Sequence, residues 1–163
     1  MTNSNPITAC AATSQELSYI ERLLLHALRV WVARRDRWPE IVLEFNRACG
    51  PLPATRICET LQDLFHVLGI HARHRIRLCP MVCCHVSHDE LCLLNLVAAQ
   101  QDGAVVHADA LTRWLVGNGA IDCVDAHTRT VAQHLYETGY TLERRYLDTV
   151  ALPEQTPVRQ LVH

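Results

Sequence analysis

The sequence predicts a mainly α, single-domain bundle of about six helices, with a short two-stranded or extended element near residues 70–79. Apolar residues recur at three- and four-residue spacing in several separate blocks, the periodicity of helices that each bury one face. These blocks are punctuated by Ser/Thr-x-x-Glu spacings, first-turn prolines and terminal glycines, which are helix start and stop signals. The chain has 163 residues, 49% hydrophobic and 20% charged, so it can bury one core and is too apolar to remain disordered.

Thr13 followed by Glu16 has capping-box spacing, and Leu17, Ile20, Leu24, Leu28 and Trp31 continue at helical intervals, predicting a first helix that runs to about Arg35. Pro39 in a first turn, then Ile41, Val42 and Phe45, with Gly50 beyond, predicts a shorter second helix. Pro51-Leu52-Pro53 separates it from a third, whose stripe is Ile57, Leu61, Leu64 and Leu68 and whose expected C-terminal cap is Gly69. The period then falls to two: Ile70, Ala72, Ile76 and Leu78 alternate with His71, Arg73, Arg75 and Arg77, as in an extended segment. Ser87 and Glu90 open a fourth helix that ends near Gly103. A fifth covers about Val106 to Val116, and a sixth starts near Asp122 and ends at Gly139. Leu142, Tyr146 and Val150 alternate and would suit a short strand beside Ile70 to Leu78. On this reading residues 1–12 form a flexible N-terminus, 13–150 the helical domain and 151–163 a flexible, proline-bearing tail.

Fifteen basic residues oppose seventeen acidic ones, a net charge of -2, so no global positive field exists to hold nucleic acid or anionic lipid. All fifteen basic residues are arginine, which removes Schiff-base and P-loop lysine chemistry. No basic n-region precedes an apolar run at the N-terminus, and no stretch is long and apolar enough to span a bilayer; a cytoplasmic location is expected. In a reducing compartment the eight cysteines are not a disulfide framework, leaving small core groups, metal ligands or reactive thiols.

His71, His74, Cys79, Cys83, Cys84, His85 and His88 fall within 18 positions. Zinc requires four nitrogen or sulfur donors, and donors a few residues apart beside a helix N-terminus can converge on one ion. Cys79, Cys83 or Cys84, His85 and His88 have suitable spacing, with His74 a candidate fourth donor. Consecutive side chains diverge, so Cys83 and Cys84 are expected to divide between metal and core. The competing reading packs the cysteines as small apolar groups. An iron–sulfur cluster on Cys79, Cys83, Cys84 and Cys92 matches neither common ferredoxin spacing, and Cys79-Pro80 is too short a signal for haem; both rank below zinc. A thiol nucleophile would need a base and an orienting third group, and Cys84 beside His85 shows neither.

Arg73, Arg75 and Arg77, with His71 in phase, place cationic groups on one face of the extended segment at about 6.6–7 Å intervals. That face suits anion or partner contact, although a solvated edge carries charge for its own sake. No aromatic residues interleave the arginines, so a single-strand stacking platform is absent and nucleic acid is not favoured. Asp109 to Val116 and Cys123 to Thr138 are separated too widely for a helix-turn-helix. His127 with His134, and Asp63 with His66, lack the further ligands of a metal pair, and Trp31, Trp38 and Trp114 read as core and helix-junction anchors.

The resulting expectation is a cytoplasmic, non-enzymatic regulator or adaptor that binds a protein partner and uses Zn2+ to tie the Cys/His loop to a helix N-terminus. A cofactor-free helical interaction domain and a small cysteine-dependent redox or thiol enzyme are the alternatives. A homo-oligomer is compatible with the sequence and a membrane is not expected.

Overall fold

The computed structural model describes residues 12–145, and within them the chain is a bundle of six α-helices with one minimal sheet. Helix α1 spans Tyr19–Ala33, α2 Trp38–Cys49, α3 Pro51–His71, α4 His88–Gln101, α5 Val105–Leu115 and α6 Ile121–Glu137. The predicted class and helix count are those observed. Strands β1 (Ala12–Thr13) and β2 (His85–Val86) pair antiparallel, Ala12 opposite Val86 and Thr13 opposite His85.

The boundaries differ from expectation where two start signals lie close together. Thr13 and Glu16 form a local box, the Thr13 N–H reaching Glu16 Oε2 at 3.4 Å, but it starts only a single 3-10 turn. Helix α1 begins instead at a second box, in which Ser18 N–H donates to Glu21 Oε2 at 2.7 Å and Glu21 N–H to Ser18 Oγ at 3.4 Å. Pro51-Leu52-Pro53 is the first turn of α3 and not a separator; the break from α2 is Gly50, whose φ of +84° only glycine adopts without strain. Gly69 does not cap α3, which runs on to His71. Among the described residues the extended element near 70–79 does not pair with Leu142 either, and Tyr146 and Val150 of the expected strand lie outside them. The element makes one bridge, Ala72 opposite Val116, and residues 146–150 lie outside the described part, as do 1–11 and 151–163.

Helix α4 is the axis of the bundle. Every residue from Asp89 to Ala99 is buried, as expected of a helix apolar around its circumference. α1, α5 and α6 pack on it, while α3 lies against α2 and α6. Phe45, Ile57, Leu61, Leu64, Leu96, Leu115 and Leu135 are among the fully buried side chains that fill the space between them. Trp31 and Trp38 meet edge-on with centroids 5.4 Å apart and both lean on Phe65, joining α1, α2 and α3 as the anchors expected of them. No helix among the described residues is long and apolar enough to cross a membrane.

Candidate functional site

Between α3 and β2 the chain leaves regular structure for residues 73–84 and crosses the outside of α4 and α5 as an arm. Its N-terminal end is fixed by two backbone hydrogen bonds with the end of α5, Arg73 N–H to Leu115 C=O at 2.9 Å and Gly117 N–H to His71 C=O at 3.1 Å, which together form the Ala72–Val116 bridge. A stretch without helix or sheet must find partners for its peptide groups elsewhere, and here they are buried side chains of α1 and α4.

Arg29 of α1 and Glu90 of α4 carry most of that work. Arg29 is 6% exposed and Glu90 0%, and their contact is bidentate, Nε to Oε1 at 2.6 Å and Nη2 to Oε2 at 2.9 Å. The remaining guanidinium donors reach the carbonyls of Cys83 at 3.0 Å, His85 at 2.8 Å and Pro80 at 3.4 Å. Glu90 also accepts from Cys79 N–H at 3.2 Å and, as the third residue of its capping box, from Ser87 N–H at 2.8 Å. Burial would lower the pKa of Arg29, but the Glu90 carboxylate outweighs it and raises that pKa further. A charge pair so desolvated needs every polar atom satisfied, and the loop carbonyls supply those bonds.

Asp89, the next residue along, makes a second tether. Its Oδ2 accepts from Arg77 N–H at 2.8 Å and its Oδ1 lies 3.0 Å from His74 Nε2. Ser87 Oγ donates to Arg77 C=O at 2.5 Å. The first residues of α4 thus hold the arm at Arg77 and Cys79 and Arg29 of α1 holds the 80–85 turn, while the His74 ring rests against Trp114 with centroids 5.3 Å apart.

The outward face of the arm is cationic. Arg73, Arg75 and Arg77 are exposed and alternate with half-buried Ala72, His74, Ile76 and Leu78, the two-residue period read from the sequence. Arg73 turns back toward Val116 C=O and Asn118. Among the described residues the guanidinium groups of Arg75 and Arg77 have neither an ion pair nor a hydrogen-bond partner.

The expected metal donors are spread along this arm. Cys79 and Cys83 are half-buried on either side of a turn closed by Cys83 N–H to Pro80 C=O at 2.9 Å, whereas Cys84 and His85 are exposed. His85 N–H donates to Cys83 Sγ at 3.4 Å. His74 is engaged by Asp89, and His88 faces inward, its Nδ1 3.6 Å from Cys92 Sγ. Among the described residues no three His, Cys, Asp or Glu side chains gather as a metal-holding group. Neither Cys83 nor Cys84 joins the core, so the expected division between metal and core is not the arrangement seen. Burial pushes the Cys79 thiol up to about 11, with Glu90 adding to the shift and Arg29 opposing it, and burial takes Cys92 up to about 12. Both are therefore thiols at neutral pH, poor nucleophiles by charge state.

Asp89 and Arg29 are the residues holding the arm that pattern reading missed. The signal for Arg29 was present: it is the one permanent cation inside the run Leu23 to Val32, where a charge is costly unless paired. Comparison with family models, curated proteins and solved structures finds no match to this chain.

Proposed function

We propose that this chain is a non-enzymatic adaptor or regulator whose working surface is the arginine arm, and that it docks an acidic stretch of a partner protein. The observation that carries the reading is the combination of a buried, fully satisfied Arg29–Glu90 pair beneath the arm and unpaired Arg75 and Arg77 above it among the described residues. Buried ion pairs contribute little net stability, and their best-attested use is to fix geometry. Here what is fixed is an irregular segment that carries cations outward, on a chain whose net charge is negative. A preordered cationic strip binds with less ordering entropy than a flexible one and steers oppositely charged partners. Its partner is acidic protein in preference to nucleic acid, since no aromatic residue interleaves the arginines.

A fluorescently labelled acidic peptide titrated against the full chain tests this. Saturable binding that weakens with salt and falls about tenfold in the Arg75→Ala/Arg77→Ala double variant is expected. Peptide binding unaffected by the double variant, or tighter binding of a single-stranded oligonucleotide, overturns it.

Zinc is a second reading because Cys79 and Cys83, both half-buried, flank one turn that leads to the N-terminus of α4. Two thiolates there, with Cys84, His85 and either His74 or His88 as further donors, would form a mixed sulfur and imidazole set that suits zinc. Near-stoichiometric zinc in protein purified under reducing, non-chelating conditions, reduced by Cys79→Ser and by His88→Ala, supports this reading. Less than about a tenth of an equivalent overturns it.

A further inference from the structure

Beneath the arm lies a cavity of about 240 Å³, bounded by α1, α3, α4, α5 and the arm itself. Its floor is core: Leu28, Phe65, Leu68, Leu93 and Leu115 line it and are each under a tenth exposed. Ile76 and Leu78 of the arm form its roof, and Gly69 and Arg75, both exposed, stand at its mouth. A half-open apolar cleft with a small number of polar groups at its rim can hold a small molecule, and this volume is below the roughly 300–1,000 Å³ of drug-sized pockets. The occupant it suits is therefore compact.

Two charged residues border the cavity. Asp89 is already committed, accepting from His74 and from Arg77 N–H. Arg75 has no partner among the described residues, so the charged group at the mouth still free to take a ligand is a cation. An arginine fork pairs with carboxylate in bidentate fashion, more strongly where neighbouring apolar surface excludes water. We infer that this cavity is a binding site for a small carboxylic acid with a short apolar tail, the tail among the core leucines and the carboxylate on Arg75.

This site shares Arg75 with the proposed docking strip, and the two are told apart by a variant that leaves both arginines in place. Gly69 provides the separating variant: a Cβ there meets no atom within 4 Å, so a side chain can leave the helix without a clash at its base, and Gly69→Leu suits a helix better than glycine and adds bulk at the cavity mouth while keeping both arginines. The experiment titrates the full chain with octanoate, octanol and octylammonium, following heat and the fluorescence of Trp31 and Trp38, which stand against the lining Phe65. Octanoate is expected to bind saturably, octanol about tenfold more weakly, and octylammonium more weakly still. Arg75→Ala should bring octanoate to the octanol level. Gly69→Leu should abolish binding of both while leaving the melting temperature and acidic-peptide binding intact. Octylammonium binding as tightly as octanoate, octanoate affinity unchanged by Gly69→Leu, or no saturable binding of octanoate overturns the inference.

Discussion

The arm at 73–84 and the stretch at 140–145 both run outside helix and sheet, and the same two helices hold both. Each is secured by an arginine–glutamate pair whose glutamate is the third residue of a capping box: Ser87 with Glu90 for the arm, Ser18 with Glu21 for the second stretch, where Arg145 is the partner. In both boxes the carboxylate reaches back to the N-cap N–H and also takes a distant guanidinium, one 61 residues away in sequence and the other 124. The difference lies in what else the arginine does. Arg29 is sealed and binds three carbonyls of the arm. Arg145 is 18% exposed and binds one further carbonyl, that of Glu16. The stretch at 140–145 depends instead on side-chain amides of α4: Asn95 makes paired bonds with Arg145 N–H and C=O, both 2.8 Å, and Gln101 binds Leu142 N–H at 2.7 Å and Tyr140 C=O at 3.0 Å. Beyond those pairs, the backbone of the arm is bonded chiefly by charged side chains and that of the second stretch by neutral amides.

The largest expected effect follows from the sealed pair. Glu90→Gln leaves Arg29 buried without its counter-charge, which costs about 3–5 kcal/mol, and urea denaturation should read a loss of that size. Glu21→Gln should cost less, because Arg145 can turn to solvent. Equal losses at the two sites would mean that burial of the arginine is not what separates them.

Asn95→Ala comes next. Asn95 is fully buried and supplies both bonds of a strand-like pairing, so its loss strands the Arg145 amide and carbonyl and should cost about 1–3 kcal/mol. Hydrogen exchange sharpens the comparison: Arg145 N–H should lose protection in Asn95→Ala while Arg77 N–H keeps it, and Asp89→Ala should give the reverse.

Acid should loosen the second stretch through Glu21. Burial alone would raise its pKa, but the Arg145 and Ser18 hydrogen bonds outweigh burial and hold its carboxyl below the ordinary carboxylate range. A carboxyl depressed in the folded state binds more protons when unfolded, so its contribution is complete above the unfolded value of roughly 4.3 and is lost as pH falls through the folded value. Stability measured downward from pH 5 should therefore decline less steeply in Glu21→Gln than in the parent.

The helices and the alternating arm were legible in the sequence because both rest on local periodicity. Ile57, Leu61, Leu64 and Leu68 mark the buried stripe of α3, and Arg73, Arg75 and Arg77 mark the exposed face of the arm, each pattern complete within a few turns or a few residues. The box at Ser87 and Glu90 was legible for the same reason. Its second use was not, since nothing near Glu90 indicates that Arg29 lies opposite. The density of cysteine and histidine from His71 to His88 suggested a common centre. The arm instead runs past Asp89 and Glu90, which separates neighbouring donors along its length and turns Cys84 and His85 to solvent.

The smallest effect expected concerns His74. Its contact with Asp89 resembles the tether beside it, yet the His74 side chain is 35% exposed while Asp89 is 7%, and a polar contact open to water on one side contributes at most about 1 kcal/mol. Asp89 retains the Arg77 N–H bond when the imidazole is removed. His74→Ala should therefore lower stability by less than about 1 kcal/mol and leave Arg77 N–H protected, whereas Asp89→Ala should expose that amide and cost more. A loss from His74→Ala as large as that from Asp89→Ala would show the imidazole to be part of the arm's support, and would move the boundary between the sealed and the open half of the tether from Asp89 out to His74.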